Sequence, residues 1–284
     1  MKVLVTGVNG QLGFDVVRRG IEKGLDITGI GRADLNITDE QAVRDYVDMI
    51  KPSAIIHCAA YTAVDRAEDD KGNCWDVNVE GTKYLAAAAK NVGVKFLYVS
   101  TDYVFDGTGE SPFLETDLPN PVGIYGATKY EAERQVQDLV EEHFIVRISW
   151  VFGINGNNFI KTMLKLAESR KELNVVGDQI GSPTYTYDVA DLMLEMVQGE
   201  EYGIYHASNE GFCSWAEFSI EIFKQAELDM KVHSISTEEY PTRAVRPKNS
   251  RMSKEKLTAK GFDLLPPWQD AVKRYLNELI EEVK

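Results

Sequence analysis

The chain has 284 residues, 44% hydrophobic and 27% charged, a length that at about 150 residues per domain allows one or two domains with sizeable cores. Its 31 basic against 45 acidic residues give a net charge of −14, which argues against a nucleic-acid partner. No apolar run approaches the roughly 20 residues needed to span a bilayer, so no membrane association is expected. The opening MKVLVTGVNG turns to glycine after a short apolar stretch and reads as neither signal peptide nor anchor. Cys58, Cys74 and Cys213 are odd in number and lack CxxC spacing, which argues against a disulfide framework and a zinc site and for a reducing compartment. The expected setting is cytoplasmic.

In chain order, β-branched apolar runs at Lys2–Thr6, Asp26–Ile30, Ser53–Cys58, Val94–Ser100 and His143–Ser149 predict strands buried on both faces. Amphipathic stretches at Gln11–Lys23, Asp39–Ile50, Asn73–Asn91 and Gly126–Glu142 predict the helices between them. In the third, Val77, Tyr84, Leu85 and Ala88 form the apolar stripe and Gly93 the stop. This alternation predicts an α/β fold with a doubly wound parallel sheet and right-handed crossovers. Beyond residue 150 the pattern loosens. Helices are expected at Asn158–Ser169, Tyr187–Val197, Trp215–Ala226 and Trp268–Val283, between Gly/Pro/Ser/Thr-rich loops. The expected organisation is a dinucleotide-binding unit over residues 1–150 and a small C-terminal substrate lobe over 151–284, with a border that the chain can recross.

The first strand leads directly into Thr6-Gly7-Val8-Asn9-Gly10-Gln11-Leu12-Gly13. Gly7 permits a tight turn, Gly10 lets backbone approach a pyrophosphate, and Gly13 lets the helix pack on the strand. The N–H groups at the helix start would meet the phosphates. The spacing is GxxGxxG rather than GxGxxG, the form used by short- and extended-chain dehydrogenase/reductases. After the second strand come Gly31 and Arg32, and only then Asp34. An arginine there can neutralise the 2′-phosphate of NADP, whereas an acid would hold the ribose of NAD. NADPH is therefore expected, with NADH as the alternative and a solvated loop charge as the plainer account of Arg32.

Tyr125-Gly126-Ala127-Thr128-Lys129 opens a helix, so Tyr125 and Lys129 share one face. A phenol with a pKa near 10 is a poor acid–base catalyst at neutral pH, and a neighbouring ammonium favours its ionised form. Ser100-Thr101-Asp102-Tyr103 ends the fourth strand and offers a hydroxyl donor. Glycine turn, Thr101, Tyr125 and Lys129 occur in the order of a reductase triad.

On these and further motifs the chain resembles the dTDP-4-dehydrorhamnose reductases, a family of extended-type reductases. The likeness continues in Ala59–Asp65, Ser100–Phe105, Arg147–Val151, Gly156–Phe159, Asp178–Thr184 and Arg246–Ser250. It implies reduction of the 4-keto group of dTDP-4-dehydro-6-deoxy-L-mannose. Tyr125 would protonate the oxygen, Thr101 would hydrogen-bond the carbonyl, and Lys129 would hold the nicotinamide ribose. Arg32, Asp34 and Leu35 would lie at the adenosine end. Gly7, Gly10, Gln11, Leu12 and Gly13, with Ala59, Ala60, Tyr61 and Thr62, would line the rest of the cofactor. Asp102 and Trp150 would contact the deoxysugar, and Asn157, Asn158, Gln179 and Thr184 would shape the sugar-nucleotide side.

Residues 241–256 carry six Lys/Arg against one Glu. A basic cluster in an acidic protein suits a nucleotide-diphosphate substrate, and Arg243, Arg246 and Lys248 are the expected contacts; a solvated helix start is the plainer alternative. His57 ends a buried strand and reads as a hydrogen-bonded core residue. Some members of the family bind Mg²⁺ through glutamates at a dimer contact. The early position here is Asp15 and no glutamate stands between Thr184 and Asp188, so the sequence does not support Mg²⁺ and leaves monomer and homodimer open. The alternatives are another nucleotide-sugar reductase or epimerase, and a non-catalytic NADP-binding regulatory subunit.

Overall fold

The computed structural model describes residues 1–282. The five expected strands form as β1 (Lys2–Thr6), β2 (Asp26–Ile30), β3 (Ala54–His57), β4 (Lys95–Thr101) and β5 (His143–Ile148). Between them lie α1 (Gln11–Glu22), α2 (Glu40–Ile50), α3 (Val64–Ala67), α4 (Lys71–Trp75), α5 (Gly81–Val92) and α6 (Ile124–Leu139). The second half adds β6 (Val151–Phe152), α7 (Phe159–Ala167), β7 (Glu172–Val176), β8 (Ile180–Gly181), β9 (Thr184–Tyr185) and α8 (Thr186–Met196). It closes with β10 (Gly203–His206), β11 (Cys213–Ser214), α9 (Trp215–Gln225), β12 (Lys231–Ile235), α10 (Glu255–Ala259) and α11 (Trp268–Glu282). The last helix was expected to reach Val283, which lies outside the described residues.

Six parallel strands pair in the order β10-β5-β4-β3-β1-β2. Alternate residues serve opposite faces, as the two-residue period of a strand dictates. Val3, Val5, Ile56 and Leu97 pack against Val16 of α1 and Val189 and Met193 of α8. Leu4, Ile55, Phe96 and Ile145 meet Val47 of α2, Leu85 of α5 and Val136 of α6. Four of the five expected strands are buried throughout or nearly so, but β2 is a sheet edge on which only Ile30 is buried.

After residue 150 the chain returns to this sheet: α8 packs against α1, and β10 joins beside β5 with Tyr205 opposite Val146. The parts that stay outside form their own core, with Phe152, Ile160, Phe218 and Tyr275 buried together. The third helix runs unbroken from Lys71 to Val92, but between α4 and α5 it carries a π-helical turn at Asp76–Glu80 that the expected spacing did not include. The extra residue of such a turn rotates the face, so Asn78 and Val79 are buried and Val77 only partly so. Gly93 does end α5, in the left-handed conformation at φ 67°. All three cysteines are free thiols.

Candidate functional site

The sheet reverses direction of winding at β1, between β2 and β3, and in such sheets ligands bind beyond the carboxyl ends of the strands at that switch. A cavity of about 680 Å³ opens there, lined by the loops after β1 to β5 and by the start of α6. Gly7 sits at φ 76°, and a Cβ on it would come within 2.6 Å of the Ala59 amide nitrogen; the loops after β1 and β3 therefore touch. Thr6 Oγ1 fastens them by accepting from that amide at 3.2 Å. Helix α1 begins at Gly10 without a side-chain cap, which leaves the N–H groups of its first turn for an anion.

Most of the expected cofactor residues line this cavity: Gly7, Gly10, Gln11, Leu12, Arg32, Leu35, Ala59, Ala60, Tyr61 and Thr62. Two do not. Gly13 faces inward, where a Cβ would meet the Gly7 carbonyl oxygen at 2.4 Å, so it serves packing. Asp34 turns back to accept from the Gly31 amide at 2.8 Å, which leaves Arg32 at the rim. Gln11 lines the cavity, yet its side-chain oxygen accepts from the Gly153 amide at 2.9 Å and from Asn158 at 3.2 Å. That carbonyl joins the two halves of the molecule rather than facing a pyrophosphate.

Thr101, Asp102, Tyr125, Lys129 and Trp150 line the same cavity. Thr101 Oγ1 donates to Asp102 Oδ1 at 3.0 Å, and burial pushes the Asp102 carboxyl up to about 6 against that hydrogen bond. Tyr125 meets the Tyr103 ring edge-on at 5.5 Å between centroids. Lys129 Nζ donates to the Val99 carbonyl at 2.7 Å and lies 4.1 Å from the centre of the Tyr98 ring. Burial brings its ammonium down to about 7, with Glu133 acting in the opposite direction. Burial raises the Tyr125 phenol, opposed by a hydrogen bond with Thr101, while the lysine is directed at Val99.

Two contributors, Gly126 and Asn78, carried no sequence signal of their own. Gly126 allows α6 to start against the loop after β4, because a Cβ there would lie 2.1 Å from the Tyr103 carbonyl oxygen. Asn78, turned inward by the π-turn, accepts from the Tyr61 amide at 2.7 Å and donates to Thr128 at 3.0 Å. It thereby ties the loop after β3 to α6. Trp150 holds a left-handed backbone at φ 48°, uncommon for a large side chain, and its indole stacks on Trp215 at 3.7 Å.

The remaining expected substrate residues divide. Arg246 and Lys248 line a second cavity of about 640 Å³, whereas Gln179 lines neither cavity and donates to Thr237 at 3.1 Å. Arg246 ion-pairs with Asp65 and donates to the Tyr103 hydroxyl at 3.0 Å; Lys248 pairs with Glu238 at 2.8 Å and Asp178 at 3.2 Å. The structure brings Arg243, Asn157, Asn158 and Thr184 to neither cavity. Arg243 pairs with Asp69 on the surface, and Asn157 is exposed. Asn158 caps α7 by accepting from the Lys161 amide at 3.0 Å and donates to the Tyr275 hydroxyl at 2.9 Å. Thr184 is buried in β9, where its amide donates to the Trp150 carbonyl at 3.1 Å. His57 is a core residue, bonded to Thr6 at 2.7 Å and Thr82 at 3.0 Å, with burial lowering its pKa to about 3.

The carboxylates nearest to a metal role do not fit one. Arg18 contacts Asp15 at 2.7 Å and also ion-pairs with Glu278, while Thr186 and Tyr185 donate to the same two side chains. A guanidinium thus already stands between the carboxylates. Among the described residues no group of three or more His, Cys, Asp or Glu could hold a metal ion. No described helix is long and apolar enough to cross a membrane.

A family model for the RmlD substrate binding domain matches residues 1–281. The chain is 41% identical to the dTDP-4-dehydrorhamnose reductase of Aggregatibacter actinomycetemcomitans, over 96% of this chain and 97% of that one. The dTDP-4-dehydrorhamnose reductase structure from Clostridium acetobutylicum ATCC 824 matches with a TM-score of 0.96 at 41% identity, covering 99% of this chain and 100% of that one. The enzyme of the same name from Bacillus anthracis str. Ames, in complex with NADP, gives a TM-score of 0.95 at 42% identity, covering 98% and 99%. With its glycine turn, Thr101, Tyr125 and Lys129 gathered on one cavity, the chain belongs to the RmlD substrate-binding-domain family, that of the dTDP-4-dehydrorhamnose reductases.

Proposed function

We propose that this protein is an NADPH-dependent reductase that converts dTDP-4-dehydro-6-deoxy-L-mannose to dTDP-L-rhamnose. The observation that carries the reading is the meeting of the glycine turn, Arg32, Thr101, Tyr125 and Lys129 on a single cavity. Relatives over nearly the whole chain bear that activity in their names. Bound NADPH supplies the hydride for C4 of the sugar. Thr101 orients the ketone by a hydrogen bond to its oxygen. Tyr125 gives that oxygen a proton as negative charge develops. A phenol held protonated by burial is in the state that a reduction requires of its acid. Lys129 holds the nicotinamide ribose. Asp102 and Trp150 face the deoxysugar.

The nucleotide end is assigned to the neighbouring groove, where Arg246 and Lys248 exchange their present carboxylate partners for the diphosphate. Residues 1–150 then hold the cofactor, and residues 151–284 shape the sugar-nucleotide side around the returning α8 and β10. The protein acts in the cytoplasm, as its three free thiols suggest. Tyr125→Phe tests the chemistry: turnover falls by about 10²–10⁴-fold, the usual contribution of a positioned acid, while NADPH still quenches or sensitises protein fluorescence as in the parent. Unchanged turnover would exclude Tyr125 as the acid.

A further inference from the structure

Helix α6 carries more charge into the interior than Tyr125 and Lys129 account for. Lys129 and Glu133 stand one turn apart on its inward face, 3% and 0% exposed. Arg147 on β5 is 1% exposed and grips Glu133 through Nε at 2.9 Å and Nη2 at 2.6 Å. Its guanidinium lies 5.0 Å from the centre of the Phe105 ring, and Nη1 is 3.4 Å from Nε2 of His206 on β10. Stability alone is a poor reason for such a pair, since desolvation offsets much of the Coulomb gain and apolar replacements of similar volume are often as stable. Its orientation has another consequence. The negative end lies on the helix face that carries Lys129, and the positive end on the strand behind it.

The cysteines, tyrosines and histidine around Lys129 are neutral near pH 7. Burial raises Cys58 after β3 to about 12, Cys74 on α4, Tyr98 on β4 and Tyr125 on α6, and lowers His57 at the end of β3 to about 3. Of the carboxylates nearby, Asp102 across the cavity is engaged by Thr101, whereas Glu133 stands one turn from the buried ammonium on the same helix face and acts on it. We propose that Glu133, fixed by Arg147, is a positioning residue for Lys129: its carboxylate keeps the lysine charged and α6 seated on β5, with Tyr125 and Lys129 at the cavity beside Thr101. The inference rests on the reading that Lys129 serves the reduction.

The test uses the NADP⁺-bound protein carrying ¹³Cε-lysine, with the Lys129 signal assigned by its loss in Lys129→Met. In the double variant Glu133→Met/Arg147→Met, which removes both charges without stranding either, Lys129 loses its proton about one pH unit lower, a tenfold change in acidity. The alkaline limb of kcat/KM moves down with it, whereas unfolding remains cooperative. Glu133→Gln keeps the side-chain shape but not the charge, and gives the same downward shift should the double variant fail to fold. Glu133→Asp, which restores a carboxylate, returns the midpoint towards that of the parent. An unmoved Lys129 midpoint in a folded variant overturns the proposal, because a purely structural pair would alter stability alone. The titration needs no turnover. A parent protein that fails to reduce the ketone therefore defeats the functional reading, while the titration still decides the role of Glu133.

Discussion

At the scale of single residues, burial separates the two members of the YxxxK pair. It holds the Tyr125 phenol protonated and brings the Lys129 ammonium down to about 7, opposite directions for an acid and a base set in the same interior. His57 shows burial acting on a group outside the chemistry. Its pKa of about 3 in the fold lies below the unfolded value near 6.5, so the unfolded chain binds the extra proton first. Stability from neutral His57 is therefore complete above about pH 6.5 and is lost as pH falls towards 3. Parent and His57→Gln proteins compared by thermal unfolding from pH 7 to pH 4 will converge, the parent losing its advantage as the pH falls. A gap that widens on acidification would contradict this assignment.

At the scale of elements, close backbone approach sets the site. Gly126 lets α6 begin against Tyr103, and Gly126→Ala must displace one or the other, since 2.1 Å to a carbonyl oxygen leaves no room for a Cβ. Such overpacking costs about 1–3 kcal/mol, measurable by urea unfolding, and kcat falls because Tyr125 moves with the helix. Parent-like stability and kcat would place the flexibility elsewhere. This contact also marks where sequence reasoning ends. The five strands, the glycine turn and the Thr101–Tyr125–Lys129 order were legible because local spacing alone fixes them. The π-turn that buries Asn78 was not, since nothing in a 3.6-residue pattern announces one extra residue. Asn158 resembled a ligand contact through its motif, yet it caps α7 and binds Tyr275, a role that depends on a helix more than 100 residues away. The partners of Arg243 and Arg246 are equally non-local: Asp69 and Asp65 come from the segment after β3, which turns a basic run into ion pairs that composition could not anticipate.

At the scale of the molecule, α8 and β10 return from the second half to the sheet, and Gln11 reaches back to Gly153 and Asn158. The two parts of the chain are thereby held in one body around the cavity. The Arg18 bridge between Asp15 and Glu278 predicts that neither EDTA nor added Mg²⁺ changes the unfolding temperature or the rate; a clear Mg²⁺ requirement would show that another donor set exists. The most direct test of the central claim is the loss of reduced-nicotinamide absorbance with the 4-keto-6-deoxy-L-sugar nucleotide, generated in place from dTDP-glucose by the two preceding conversions. NADPH and NADH are run in parallel. Rapid oxidation yielding dTDP-L-rhamnose is expected, faster with NADPH because Arg32 rather than Asp34 faces the cavity. No oxidation with either, despite cofactor binding, would contradict it and point to a different sugar nucleotide or a regulatory subunit.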